Sequence, residues 1–290
     1  MLQLRALRWR ILTQPIQPIA TGALFRATAV AFAANNVLPL RIGEVVRVWY
    51  LRRETGASAA ALFGSVILER VFDALSVIAL AALVVGLGGV GQNGALAQGA
   101  LWLLPAALLP AALLVGLRAA PGRVAAAAGF LLRPLPERLA ARIQDLLARF
   151  QEGLGALRTG WHLLAIAGYS AAIWLLGSTL PVLAGFWALD LELGSALGSL
   201  VAAWTTLVAV AVAVALPQAP GFFGPYHYAA RLALTRHGFS PETAVAFGTL
   251  IHAVMWLTLT VLGLAVLRLR RTSLGEIGGL AGSSEDPAAR

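Results

Sequence analysis

From Ser195 to Leu216 the chain carries no charge at all, a run as long as the roughly 20 residues an α-helix needs to cross about 30 Å of hydrocarbon at 1.5 Å per residue. Comparable apolar segments lie near residues 20–38, 71–91, 99–117, 162–188 and 243–267. Together they set a minimum of six spans. Hydrophobic residues fill 59% of the 290 positions and charged residues 12%, and mean hydropathy is +0.80. Such an inventory cannot cover a water-facing globular surface. The expected fold class is all-α: a polytopic helical membrane protein of the cytoplasmic (inner) membrane.

The formal net charge is +9, and all 22 basic residues are arginine. They fall between the apolar spans, so a nucleic-acid partner is not expected. Cysteine is absent, which rules out disulfides and thiolate metal sites. Arg5, Arg8 and Arg10 are followed by Pro15 and Pro18 before any long apolar core, unlike a secretory signal peptide.

Arginines concentrate in residues 5–10, 41–53, 118–158 and 268–271, whereas the links 92–98 and 189–194 have none. The positive-inside rule places 118–158 in the cytoplasm and the two arginine-free links outside. The ends conflict with that rule. One crossing at 195–216 followed by one at 243–267 would leave Arg268, Arg270 and Arg271 outside, so Gly221–Thr235 is expected to cross as well, as a broken helix within the bundle. The basic groups on both sides of segment 20–38 raise the same difficulty. Residues 137–154 place Leu139, Ile143, Leu146, Leu147, Phe150 and Leu154 at helical spacing opposite Arg138, Arg142, Asp145 and Arg149, an amphipathic connector for the cytoplasmic leaflet or for a partner. The expected organisation is a membrane domain over 1–271, with repeat-like halves at 20–91 and 195–267 and the connector at 118–160. A Gly- and Ser-rich disordered tail over 272–290 completes it.

Three polar insertions are the candidate site. In the first, Asn36, Pro39, Arg41, Gly43, Glu44 and Arg47 lie within twelve residues of one another. Proline removes a backbone donor and glycine widens the backbone angles, so an arriving helix breaks here. Arg41, Glu44 and Arg47 recur at steps of three, near one face of any helix that restarts. An arginine pair there could grip a phosphate with Glu44 orienting one guanidinium; alternatively the arginines only enforce topology. In the second, Glu69, Arg70 and Asp73 stand at the entrance of the span 71–91. Charges at bilayer depth must be partnered or wet, and Arg70 at i,i+3 from Asp73 does not suffice for two carboxylates, so a further cation is expected from Arg41 or Arg47. A structural intramembrane salt bridge is the competing reading. The third insertion holds Pro217, Pro220, Gly221, Gly224 and His227, too many helix breakers for a regular span and the kind of interruption that builds transporter sites; a lipid-facing surface turn is the competing reading.

The first and third insertions form a weak internal repeat. Pro39, Gly43, Gly56, Ser58 and Phe63-Gly64-Ser65 are answered by Pro220, Gly224, Gly238, Ser240 and Phe247-Gly248-Thr249, with Glu69 and His252 at comparable places further on. Two helix-breaking hairpins in corresponding halves point to a site between repeats, the orientation of the repeats staying open. His227 and His252 could respond to protons or be satisfied interior imidazoles, whereas His162 and His237 look interfacial. No metal-ligand spacing, P-loop, Rossmann or nucleophile-elbow pattern occurs, so no cofactor, metal or soluble-type catalytic domain is expected.

Four ordered motifs, Arg5-Ala6-Leu7-Arg8-Trp9, Asn36 to Arg47, Glu69-Arg70-Val71-Phe72-Asp73 and Pro217 to Gly224, resemble the lysylphosphatidylglycerol synthase transmembrane-region family, also described as flippase-like. The resemblance covers about residues 5 to 270. It implies a helical inner-membrane domain of the type thought to move charged lipid between leaflets in aminoacyl-phospholipid enzymes. Family members usually have an apolar helix before the Arg-Ala-Leu-Arg-Trp segment, so either a truncated first helix or a misassigned start is expected. Nothing resembles the soluble aminoacyl-transfer domain, so lipid aminoacylation is not expected. The leading expectation is a lipid flippase whose substrate contacts are Asn36, Pro39, Arg41, Gly43, Glu44, Arg47, Glu69, Arg70, Asp73, Pro217, Pro220, Gly221, Gly224, His227 and His252. Its partners would be membrane lipids, with a lipid-modifying enzyme or a second copy left open. The rivals are a membrane-embedded enzyme or enzyme subunit acting on a lipid carrier, and a non-catalytic scaffold.

Overall fold

Among the described residues three helices are long and apolar enough to cross a membrane, Gly160–Ala188, Ala196–Ala213 and Pro241–Leu269. A fourth, Ala59–Gly86, has 28 residues but carries Glu69, Arg70 and Asp73. They belong to a computed structural model that describes residues 1–88, 119–133, 135–155, 160–191, 193–215 and 220–270, with positions 108, 112 and 116. Among the described residues there is no strand, so the chain is an all-α membrane protein. The segment 99–117 (apart from those isolated positions), Pro217 and the tail 272–290 lie outside the described residues.

Among the described residues the helices, in chain order, are α1 (Leu2–Thr13), α2 (Thr21–Val37), α3 (Gly43–Thr55), α4 (Ala59–Gly86), α5 (Pro121–Leu131) and α6 (Glu137–Gly153). Then come α7 (Gly160–Ala188), α8 (Ala196–Ala213), α9 (Pro225–Thr235) and α10 (Pro241–Leu269). Helix α7 contains one π-helical stretch at Ile173–Ser178.

Helix α2 stops where the sequence demands it. Leu38, forced out of helical angles by the proline that follows, is extended at φ −102° and ψ 148°. A short 3-10 turn, Pro39–Arg41, then reverses the chain. At the start of α3 the Gly43 amide, which has no partner within its helix, donates to Asn35 Oδ1 at 2.8 Å. Gly56 closes α3 in the left-handed region at φ 71°, where only glycine is free of strain, and Ser58 caps α4 by accepting from the Ala61 amide.

The second half repeats this grammar. Helix α8 ends at Ala213, a 3-10 turn covers Pro220–Phe222, and Pro225 occupies the first turn of α9, where its missing donor costs nothing. Gly238 follows α9 at φ 89°. Ser240 then caps α10, accepting from the Thr243 amide at 3.2 Å.

The two hairpins point at each other from opposite ends of α10, which at 1.5 Å per residue is about 43 Å long. At one end Arg26 of α2 pairs with Glu54 of α3, and Leu24 shares a core cluster with Val266 and Leu267. At the other end Ala202 of α8, Leu234 of α9 and Phe186 of α7 form a cluster with Ala244 and Phe247. The tips meet between them. Asn36 Nδ2 donates to Thr260 Oγ1 at 2.9 Å and to the Trp256 carbonyl at 3.2 Å, near the middle of α10. The two hairpins therefore run in opposite directions along α10.

Two sequence-based boundaries change. Glu69, Arg70 and Asp73 do not stand at the entrance of a span; they occupy the middle of α4, because the apolar run Ala59–Leu68 already belongs to the same helix. Residues 221–235 are not one broken helix: Pro225–Thr235 is regular and follows a separate turn, running back beside α8. The amphipathic connector is helix α6. Its C-terminal end packs closely on α4, where a Cβ on Gly153 would collide with the Ala61 carbonyl.

Candidate functional site

Helix α1 brings Arg5 and Arg8 to one face at i,i+3, and Trp9 beside them. Helix α4 meets that face with Glu69 and Asp73 one turn apart, and α3 adds Glu44 and Arg47. Asp73 receives Arg8 Nη1 at 2.8 Å on one oxygen and Arg5 Nη1 at 3.0 Å on the other. Glu69 receives Arg47 Nη2 at 2.9 Å on Oε2, while Oε1 accepts from Arg70 Nη2 at 2.6 Å and lies 3.3 Å from Arg8 Nη2. Arg70 also reaches Asp73 at 3.2 Å and Glu44 at 3.4 Å. Multiply bonded, mutually bridging pairing of this kind is what makes ionised groups tolerable in a low-dielectric interior.

The apolar surroundings hold these side chains in place. The Arg47 guanidinium lies over the Trp9 ring, 3.5 Å from its centroid, and Trp9 Nε1 donates to Ser65 Oγ at 3.0 Å. Arg8 Nη1 also donates to Ser170 Oγ of α7 at 2.9 Å. Arg8, Arg47 and Glu69 are sealed from the surface, whereas the Arg70 side chain is 37% exposed and Glu44 27%. Arg70 is thus the guanidinium of this cluster that something outside the packed interior could touch.

Arg41 behaves differently from expectation. It does not sit on the face of α3 with Glu44 and Arg47, because at φ 56° it lies in the turn before that helix. It supplies no charge to Glu69 or Asp73; Arg47 does so, together with Arg5 and Arg8. The expected Arg41–Arg47 phosphate grip is therefore not formed. Arg41 Nη1 instead donates to the Val214 and Ala215 carbonyls at the end of α8, at 2.7 and 2.8 Å, with its guanidinium 5.6 Å from the Phe222 ring. One hairpin tip thus caps the other, a cation meeting the negative end of a helix dipole.

Pro39 and Pro220 open the two turns, and Gly43 and Gly224 start the helices that follow them. Asn36 is engaged in holding α2 to α10. Gly221 packs against Trp256 and Phe223, leaving no room for a side chain. His227 and His252 come together with their ring centroids 5.0 Å apart. His252 is 5% exposed and stacks on Tyr226 at 4.4 Å, with Phe223 at 5.0 Å on another side. This aromatic group belongs to the second hairpin; the ion cluster belongs to the first. Among the described residues no group of three or more histidines and carboxylates is placed to hold a metal ion.

Sequence reasoning missed Arg5, Arg8, Trp9 and Ser170 as members of the cluster. Arginines at i,i+3 in a short N-terminal helix read equally well as topology signals, and only the packing of α1 against α4 shows otherwise.

The family model described as lysylphosphatidylglycerol synthase TM region matches residues 1–263. No curated protein and no solved structure matches the chain.

Proposed function

The chain belongs to the lysylphosphatidylglycerol synthase TM region family, a membrane family linked to lipid handling, and from that premise we propose that it moves a phospholipid or related charged amphiphile between the leaflets of the inner membrane. The observation that carries this reading is the pair of hairpin tips meeting inside the bundle beside an ion cluster with one accessible guanidinium, Arg70. Interrupted helices at membrane depth are tolerated where they line a protein-walled polar path. A headgroup crossing hydrocarbon needs such a path. In this reading the protein is a transporter and not an enzyme, and the ionised groups hold the headgroup without breaking a bond.

Hairpins that enter from opposite sides would also fit the charge pattern at both ends of the sequence. Each enters from one side and returns to it, α2–α3 from the cytoplasm and α8–α9 from outside. Arg26, Arg52 and Arg53 then lie with Arg268 and Arg270 on the cytoplasmic side, as the positive-inside rule requires. Among the described residues the crossings in this reading are α4, α7 and α10, which makes a multi-pass protein. Membrane lipids are the partners; a lipid-modifying enzyme or a second copy of the chain could share the cytoplasmic face of α6.

The test is leaflet-resolved transport in vesicles reconstituted with the purified chain and a fluorescent phosphatidylglycerol. Protein-dependent exposure of label to an impermeant quencher, reduced by Arg70→Ala at equal reconstitution, is the expected result. Rates equal to those of protein-free vesicles, or unaffected by Arg70→Ala, overturn it. A deletion strain that lacks a lipid product, with leaflet distribution unchanged, would favour the enzyme.

A further inference from the structure

The ion cluster contains Arg5, Arg8, Arg47 and Arg70 against Glu44, Glu69 and Asp73. One positive charge is left over. Arg41 adds a second, because its partners are two neutral carbonyls and an aromatic ring. Among the described residues no carboxylate lies within ion-pair distance of it.

The rest of the chain offers little to cancel this surplus. After Asp73 the next carboxylate in the sequence is Glu137, so the segment 89–118 contains none, and neither does 216–219. Glu54 is held by Arg26 at the base of the first hairpin. Glu137, Asp145 and Glu152 are on α6, and Glu242 is in the first turn of α10. Asp190 and Glu192 are in the link between α7 and α8, and the last three carboxylates lie beyond residue 270. Two uncancelled cations in a low-dielectric bundle are costly unless an anion joins them.

We infer that the headgroup handled here is net negative and that Arg41 takes its phosphate by exchanging the Val214 and Ala215 carbonyls for phosphate oxygens. This rests on the transport reading and narrows it, since an aminoacylated headgroup, whose two ammonium groups outweigh its phosphate, would place like charges together. The exchange is favoured because a guanidinium binds an ionised oxygen more strongly than a neutral carbonyl. It is also mechanically coupled. Arg41 and Phe222, both non-glycine residues in the left-handed region at φ 56° and 61°, face each other across the contact, and strained backbone of this kind persists only where surrounding contacts hold it. Removing the carbonyl bonds loosens the contact between the two hairpin tips.

The experiment is lipid retention by the purified full chain, read by native mass spectrometry, with phosphatidylglycerol, phosphatidylethanolamine and lysylphosphatidylglycerol competing at equal amounts. Phosphatidylglycerol is expected to dominate, and Arg41→Gln to lower its preference over the lysylated lipid about tenfold, the loss of one charge-assisted contact. Arg41→Lys, which keeps the charge, retains most of that preference. It also serves as the second variant should Arg41→Gln fail to fold. Equal or greater retention of the lysylated lipid, or a preference indifferent to Arg41→Gln, overturns the inference. So does displacement of phosphatidylglycerol by inorganic phosphate, which would mark a free-anion site. Selective retention without transport in vesicles would instead count against the transport reading and leave the charge selection standing.

Discussion

Glu69 and Arg47 meet at 2.9 Å with essentially no surface exposed on either side chain, and the same carboxylate is shared with Arg8 and Arg70. Three cations therefore share one anion from which water is excluded. Glu69→Gln is expected to destabilise the protein by about 3–5 kcal/mol, the cost of leaving buried charge unpaired, measured as unfolding in mild detergent. The double variant Glu69→Gln, Arg47→Met is expected to lose less than the sum of the two single changes, because each single change strands the other's partner.

The close contact of α6 with α4 leaves no space for a methyl group. Gly153→Ala drives a Cβ into the Ala61 carbonyl, and Gly64→Ala places one 2.6 Å from the Phe150 carbonyl. Backbone cannot yield as a flexible side chain would, so each should cost about 1–3 kcal/mol. Gly129→Ala, in α5 with its nearest neighbour 3.7 Å away, is expected to be neutral or slightly stabilising through helix propensity. Thermal midpoints of the three variants check the contrast.

Asn36 ties the first hairpin to the middle of α10 through two donated hydrogen bonds. Asn36→Leu removes both and leaves Thr260 facing an apolar side chain. A loss of about 1–3 kcal/mol is expected, with greater protease sensitivity in the 39–42 turn than in α7. Uniform sensitivity would argue against this tether.

On α6, Arg149 and Asp145 pair at 2.8 Å, but both are about half exposed. Surface pairs of this kind contribute little, so Arg149→Gln is expected to leave the thermal midpoint unchanged. A clear drop would mean that this face is covered in the membrane-embedded protein.

Much of the architecture was readable from local chemistry. Pro39 and Pro220 cannot donate a helical hydrogen bond, and glycines follow each at the same interval, so both tips were visible as breaks. The apolar period of Leu139, Ile143 and Leu146 marked α6 almost to its ends. The start of α4 was hidden because the hydropathy of Ala59–Leu68 is cut off by three charges, and charges inside a helix look like its edge until their partners are known. Arg41 and Arg47, six residues apart, seemed to share a face. A left-handed residue in a 3-10 turn rotated Arg41 out of register, which spacing alone does not reveal.

Composition and the distribution of apolar residues determined by themselves that this chain is a helical membrane protein with two interruptions, because hydrocarbon admits no exposed backbone and proline no helix interior. Which arginine meets which carboxylate, that the hairpins oppose each other, and that Arg41 joins their tips were decided only by tertiary structure. Ion pairing depends on distance in space, and residues 65 to 174 positions apart in the chain become neighbours only when helices pack.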